Sequence, residues 1–126
     1  LSCLLIRPEA MCKQVRGEQE ALYIHEQGKS CPTEILEQLS KYNAEGRPIW
    51  KPMHMQPIYR MNPFITRFGN GRARTNAYIT DVVSQGQLPL DVGMDIFNRG
   101  VCLPSDIKMT PEQQDVVIKI VKSCFE

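Results

Sequence analysis

The clearest helical pattern lies between residues 32 and 46. Four apolar side chains recur there at helical spacing and share one face: Ile35, Leu36, Leu39 and Tyr42. Pro32 suits the first helical position, where its missing N–H is not needed, and Ser30, Cys31 or Thr33 is available as the cap. Gly46 suits a left-handed residue beyond the end. The pattern therefore predicts an amphipathic helix between Pro32 and Gly46.

A second helix is predicted at the end of the chain. Thr110-Pro111-Glu112-Gln113 combines a capping Thr, a Pro at the first helical position and a Gln at the reciprocal capping place. The residues that follow supply an apolar stripe: Val116, Val117, Ile120, Val121 and Cys124. Burying four branched aliphatic side chains stabilises by roughly 6–12 kcal/mol gross, so this helix is expected to dock on a sheet.

Three short apolar runs predict strands, and a shorter helix lies between them. Leu1–Ile6 is apolar on both faces and is therefore predicted to be a central strand. Residues 47–50 and 101–103 predict two more strands, the latter ended by Pro104. Asp91 begins a helix that bears Val92, Ile96 and Phe97 and closes at Gly100. This order predicts an α+β fold, a small sheet with helices packed on one face, in a single domain over residues 1–126.

Two stretches lack such periodicity and are predicted to be surface excursions. Residues 9–31 mix charged and polar side chains, with a helical turn expected near residues 18–25. Residues 62–89 are the least patterned, and Asn70-Gly71 suits a type I′ turn within them. The chain opens on Leu1, without Met and inside an apolar run, so we expect it to be part of something longer.

Composition narrows the class of protein. Hydrophobic residues make up 42% of the chain, charged residues 23%, and the net charge is +1, which gives no global bias toward nucleic acid or membranes. No apolar run approaches the roughly 20 residues of a membrane helix. The five cysteines include no Cys-x-x-Cys pair. They indicate reduced, mostly buried thiols in a cytoplasmic protein rather than a disulfide framework or a zinc site.

Candidate chemistry concentrates in residues 43–61, which hold the single Trp, one of two His and three Pro. Trp50 reads either as a packed anchor or as a ligand platform. Lys51 is either solvated or aimed at a phosphate or carboxylate. In an extended segment His54 would point away from Met53 and Met55, toward a ligand.

A basic loop follows this segment. Residues 60–74 contain four Arg and no acidic residue, which indicates either a solvated surface or an anion site. Phosphate-loop, dinucleotide, zinc-protease and serine-hydrolase motifs are all absent from the chain.

Two runs carry a family resemblance. The first run is Gly46-Arg47-Pro48-Ile49-Trp50-Lys51-Pro52-Met53-His54-Met55-Gln56-Pro57, and the second is residues 95–105 with Met109-Thr110. Both closely resemble the C-terminal small domain of pyridoxal-phosphate-dependent sugar-nucleotide aminotransferases. The resemblance implies a fold type I enzyme of deoxysugar and polysaccharide biosynthesis. Such an enzyme moves an amino group, usually from glutamate, to a keto group on a nucleotide-linked deoxysugar. It also implies that the cofactor lysine belongs to a large domain, in an Asn-Gly-Asn-Lys-like motif that this chain lacks.

The resemblance assigns roles to a few residues. His54 and Lys51 are expected as substrate-side polar groups, Trp50 as a wall and Arg47 as an anion contact. From charge alone, Arg67, Arg72 and Arg74 are expected to meet the sugar-nucleotide diphosphate, across a homodimer. The chain alone is expected to bind no pyridoxal phosphate and to be inactive without the large domain. The competing interpretation is a freestanding interaction module that binds anions or RNA through the Arg-rich loop.

Overall fold

The computed structural model describes residues 2–12, 27–59, 62–66, 69–72 and 92–126. These residues fall into two compact units, Leu1–Ile49 with Arg99–Glu126, and Trp50–Asn98. Each unit is described by itself, and the single domain over residues 1–126 stays a prediction. None of the helices in the described ranges is both long and apolar enough to cross a membrane.

The first unit is built on a three-stranded antiparallel sheet. Its strands are β1 (Ser2–Leu5), β2 (Arg47–Pro48) and β5 (Gly100–Leu103), in the order β1-β5-β2. The α+β prediction is confirmed, but the prediction that the first strand is central was wrong. β5 is central, with buried Val101 and Cys102, whereas β1 is an edge strand whose Leu5 is exposed. An apolar run alone does not tell which strand will have neighbours on both sides.

Two helices pack against each other in this unit, and the first of them lies against the sheet. The helix α1 (Pro32–Lys41) packs against β2, β5 and the last helix, α3 (Pro111–Ser123). Their inward-facing residues form the core together with one residue of β5 and two residues that follow β1. The core residues are Ile6, Met11, Ile35, Leu39, Val101, Val117 and Ile120. The capping box of α3 is present as predicted. Thr110 Oγ1 accepts from Gln113 N at 3.3 Å, and Thr110 N donates to Gln113 Oε1 at 3.0 Å.

The predicted apolar faces were slightly too wide. Tyr42 is 66% exposed because it follows the last residue of α1, and Val116 is 46% exposed because it lies beside the buried stripe of its helix. The end of α1 also differs from the prediction. Asn43, at φ 56°, takes the left-handed conformation that was assigned to Gly46. Gly46 is instead close-packed, since a Cβ there would lie 2.8 Å from methyl carbons of both Leu36 and Leu39.

The excursion over residues 9–31 is anchored in the core at both described ends. A 3-10 turn (Pro8–Ala10) leads to buried Met11, which forms a parallel bridge with buried Ser30. The helical turn expected near residues 18–25 lies outside the described residues. Arg99, which directly precedes β5, is hydrogen-bonded to Ile6, which directly follows β1. Its carbonyl accepts from Ile6 N at 3.0 Å, and its guanidinium donates to the Ile6 carbonyl.

The second unit contains short elements. Two 3-10 turns (Met53–Met55 and Pro57–Tyr59) precede a hairpin of β3 (Pro63–Thr66) and β4 (Gly69–Arg72), and α2 (Val92–Arg99) comes later. The hairpin corrects the expectation that residues 62–89 begin without structure. Thr66 pairs with Gly69, so Asn70-Gly71 lies within β4 and not in the turn. Gly100 was expected to close α2 and is instead the first residue of β5.

Candidate functional site

The segment from Trp50 to Tyr59 is held by consecutive tight turns. Met55 N donates to the Pro52 carbonyl at 3.0 Å, and Gln56 N donates to the Met53 carbonyl at 3.0 Å. Tyr59 N then donates to the Gln56 carbonyl at 3.1 Å. Pro52 and Pro57 each precede or open a turn, where their fixed φ favours the bend. The hydrogen-bonded turns therefore fix the backbone of this segment, which is neither an α-helix nor a strand.

These turns correct the expected direction of His54. The prediction assumed an extended segment, in which Met53 and Met55 share one side. In the 3-10 turn Met55 is 2% exposed and anchors the segment, whereas Met53 is 61% exposed. His54, between them, is half-buried. Since a turn of three residues rotates successive side chains by about 120°, the alternation of a strand does not apply.

Large apolar side chains of this segment face solvent. Trp50 is 71% exposed, Met53 is 61% exposed and Ile58 is 81% exposed. Trp50 is therefore not a packed anchor within the described residues, and its role as a ligand platform stays a prediction. Lys51, the next residue, is half-buried, and its carbonyl accepts from Gln56 Nε2 at 3.2 Å. This bond fixes the backbone between the Trp and the first turn.

The predicted site residues divide between the units. Trp50, Lys51 and His54 lie together in the turn segment of the second unit. Arg47 belongs to β2 of the first unit, where its exposed guanidinium pairs with Glu45. An anion at Arg47 would therefore compete with a carboxylate that is already present. The backbone of Arg72 lies in β4 opposite Pro63, and Arg67 and Arg74 lie outside the described residues.

Sequence reasoning missed a cluster of metal-ligating side chains in the first unit. The Sγ atoms of Cys12 and Cys31 and a carboxylate oxygen of Glu34 all lie within 4.8 Å of one another. Cys12 Sγ lies 3.8 Å from Glu34 Oε2. Burial, then Cys31 and Glu34, raise the pKa of Cys12 to about 12. Cys31 and Glu34 stand three residues apart at a helix start, which was the one local signal for this cluster.

A second pair of thiols lies across the sheet. Cys3 on β1 and Cys102 on β5 are paired in register, with their sulfurs 3.7 Å apart. Cys102 is buried and Cys3 is exposed. Burial, and then the hydrogen bond with Cys3, raise the pKa of Cys102 above its ordinary value. The expectation that the thiols are mostly buried therefore holds for Cys31 and Cys102 and fails for Cys3.

Comparison with known proteins identifies an aminotransferase-related region. Over 94 residues, 75% of this chain, the sequence is 32% identical to a protein of Bacillus subtilis (strain 168) named "Putative pyridoxal phosphate-dependent aminotransferase EpsN". The match covers 19% of that relative, so the chain spans about a fifth of its length. No protein family model and no solved structure matches the chain.

Proposed function

We propose that this chain is the small domain of an aminotransferase that depends on pyridoxal phosphate and acts on a nucleotide-linked keto-deoxysugar. The observation that carries the proposal is the 32% identity with an aminotransferase over 75% of the chain. The α+β fold and the presented Trp50–Tyr59 segment are compatible with a domain that borders a substrate site. In this proposal glutamate is the amino donor, the active assembly is a cytoplasmic homodimer, and the product serves deoxysugar or polysaccharide biosynthesis.

In this proposal the cofactor site lies outside the described residues. A lysine that binds pyridoxal phosphate needs a shielded pocket with groups that hold the phosphate and the ring. The described lysines are exposed apart from Lys51, and Lys29 Nζ donates to the Glu126 carbonyl at 3.0 Å. Lys51 is half-buried but follows the largely exposed Trp50. We therefore assign the cofactor, and the electron sink that it supplies when bound, to another domain.

The chain's own contribution would then be recognition. The Trp50 indole offers a broad apolar face that a sugar or a base can stack on, and its exposure leaves that face accessible. Lys51 and His54 lie one and four residues further along in the same segment and would supply polar contacts. Because hydrogen-bonded turns fix this backbone, little conformational entropy is lost when substrate binds.

Amino transfer from isotope-labelled glutamate to a panel of nucleotide-linked keto-deoxysugars tests the proposal. The natural polypeptide that contains this sequence together with a cofactor-binding domain should catalyse transfer, and the 126-residue chain alone should not. In the complete polypeptide Trp50→Ala should raise KM for the sugar nucleotide. Tyr42→Ala is the matched control, because Tyr42 is an aromatic residue of similar exposure, 66%, in the other unit.

Two results would overturn the proposal. The first is turnover by the isolated chain, with borohydride trapping of pyridoxal phosphate on one of its lysines. The second is a complete polypeptide that transfers no amino group from any donor. Tight RNA binding with a steep salt dependence would instead favour the module that uses the Arg-rich loop.

A further inference from the structure

Backbone pairing places Cys12 beside the start of α1. Cys12 N donates to the Ser30 carbonyl at 2.9 Å, and Lys29 N donates to the Ala10 carbonyl at 3.1 Å. Cys31 follows directly and is the N-cap residue of α1, and Glu34 lies in the first turn of that helix. The two chain segments are thus joined by main-chain hydrogen bonds, which hold the backbones of the three residues close together.

The spacing of the ligand atoms suits a tetrahedral ion. With Zn–S bonds of about 2.3 Å and a Zn–O bond of about 2.1 Å, a tetrahedron separates two sulfurs by about 3.8 Å and a sulfur from an oxygen by about 3.6 Å. Cys12 Sγ lies 3.8 Å from Glu34 Oε2, and every separation in the cluster is within 4.8 Å. Small side-chain rotations are therefore enough to complete the coordination.

The ligand types select the metal. Two thiolates favour thiophilic ions, and the carboxylate favours a borderline ion such as Zn²⁺ over the softer Cu⁺. Iron–sulfur clusters need four protein ligands, and this cluster has three. Cys31 is 4% exposed, Cys12 is half-buried and Glu34 is exposed, so one side of the cluster is shielded and the other opens to water.

We propose that Cys12, Cys31 and Glu34 form a zinc site, with two thiolate sulfurs, one carboxylate oxygen and a fourth position taken by water. Two thiol protons pass to solvent when the ion binds. The ion would add a cross-link between Cys12 and the start of α1, two segments that main-chain hydrogen bonds already hold together. This proposal does not depend on the proposed function.

Cobalt substitution tests the site on the reduced, chelator-treated 126-residue chain. One equivalent of Co²⁺ should produce a thiolate-to-cobalt charge-transfer band in the near ultraviolet and intense visible bands of tetrahedral Co²⁺. Zn²⁺ should abolish both at one equivalent. Cys12→Ser should weaken the charge-transfer band by half or more, and Glu34→Gln should weaken Zn²⁺ affinity at least tenfold. Tenfold is a lower bound, because loss of a residue that only hydrogen-bonds to a metal ligand already weakens metal affinity by roughly 10–100-fold.

Matched controls separate the cluster from other thiols and carboxylates. Cys3→Ser removes an exposed thiol of the sheet, and Glu37→Gln removes an exposed carboxylate from the same helix; both should leave binding unchanged. Cys31 is buried, so Cys12→Ser and Glu34→Gln, on less buried positions, decide the result even if Cys31→Ser fails to fold. The absence of a stoichiometric sulfur-to-cobalt band, or a band that keeps its full intensity in Cys12→Ser, would overturn the proposal.

Discussion

Replacement of Gly46 by Ala separates two explanations of why a glycine stands after α1. If Gly46 were a left-handed helix end, any residue with a Cβ would strain the backbone. In the structure Asn43 takes that conformation, at φ 56°. A Cβ on Gly46 would instead lie 2.8 Å from Leu36 Cδ2, 2.8 Å from Leu39 Cδ1 and 3.3 Å from the Cys102 carbonyl oxygen. The expected penalty is therefore one of packing.

The magnitude follows from two opposing effects. Gly→Ala at an unstrained position stabilises by about 0.4–1 kcal/mol, because the unfolded chain loses freedom. Overpacking a well-packed site costs about 1–3 kcal/mol. Leu39 is fully buried and has little room to move, so overpacking should win. We expect Gly46→Ala to lower the free energy of unfolding by about 1–2 kcal/mol, which lowers Tm by about 4 °C for each kcal/mol.

A double-mutant cycle in urea, followed by far-ultraviolet circular dichroism, checks the cause. Leu36→Ala removes one of the two methyl contacts, so the penalty of Gly46→Ala should shrink by about 1 kcal/mol in that background. Asn43→Gly is the control for the left-handed position and should be neutral or stabilising by up to about 1 kcal/mol. A Gly46→Ala protein as stable as the parent, or a penalty that Leu36→Ala leaves unchanged, would refute the packing argument.

Three further predictions follow from other contacts. Thr110→Ala removes the cap of α3 and should destabilise by about 0.5–2 kcal/mol in urea denaturation, and Gln113→Ala by less, because it removes only the reciprocal bond. Cys102 has a pKa raised above its ordinary 9.0, so above that pH the folded chain keeps a proton that the unfolded chain loses. The free energy of unfolding should therefore fall as pH rises above 9.0, and it should fall less steeply in Cys102→Ala. An equal fall in the two proteins would contradict the raised pKa of Cys102. Arg72→Ala with Arg74→Ala in the complete polypeptide should raise KM for the sugar nucleotide, and an unchanged KM would remove these residues from the site.

Features that depend on near neighbours in sequence were predictable. The capping box of α3 uses residues 110–113 alone, and the buried positions 35 and 39 of α1 follow from helical spacing. The end of α1 was less predictable, because Asn and Gly both tolerate the left-handed conformation and three residues separate the two candidates. Only the approach of Leu36 and Leu39 explains why position 46 has no side chain.

Features that depend on distant pairing were missed. β1 is an edge strand because β5, which follows about one hundred residues later, pairs with it on one side and with β2 on the other. Cys12 and Cys31 meet because main-chain bonds join the two ends of the excursion, and no periodicity records those bonds. In the turn segment, Pro52 and Pro57 favour 3-10 turns over a strand, and the expected direction of His54 did not take that into account.

Under the proposed function, the exposed apolar side chains of the turn segment suit contact with another domain of the same polypeptide better than contact with a freely diffusing partner. With Trp50 left to the substrate, fully burying Met53 and Ile58 is worth about 1.5–3 kcal/mol each, or roughly 3–6 kcal/mol together before other terms. Association of two free proteins loses about 4–15 kcal/mol in translational and rotational freedom, so these two side chains alone would give weak binding at best. A domain in the same polypeptide avoids most of that loss, because its effective concentration is high. Under the proposed function, this apolar surface is therefore better matched to contact with another domain of the same polypeptide than to an independent binding module.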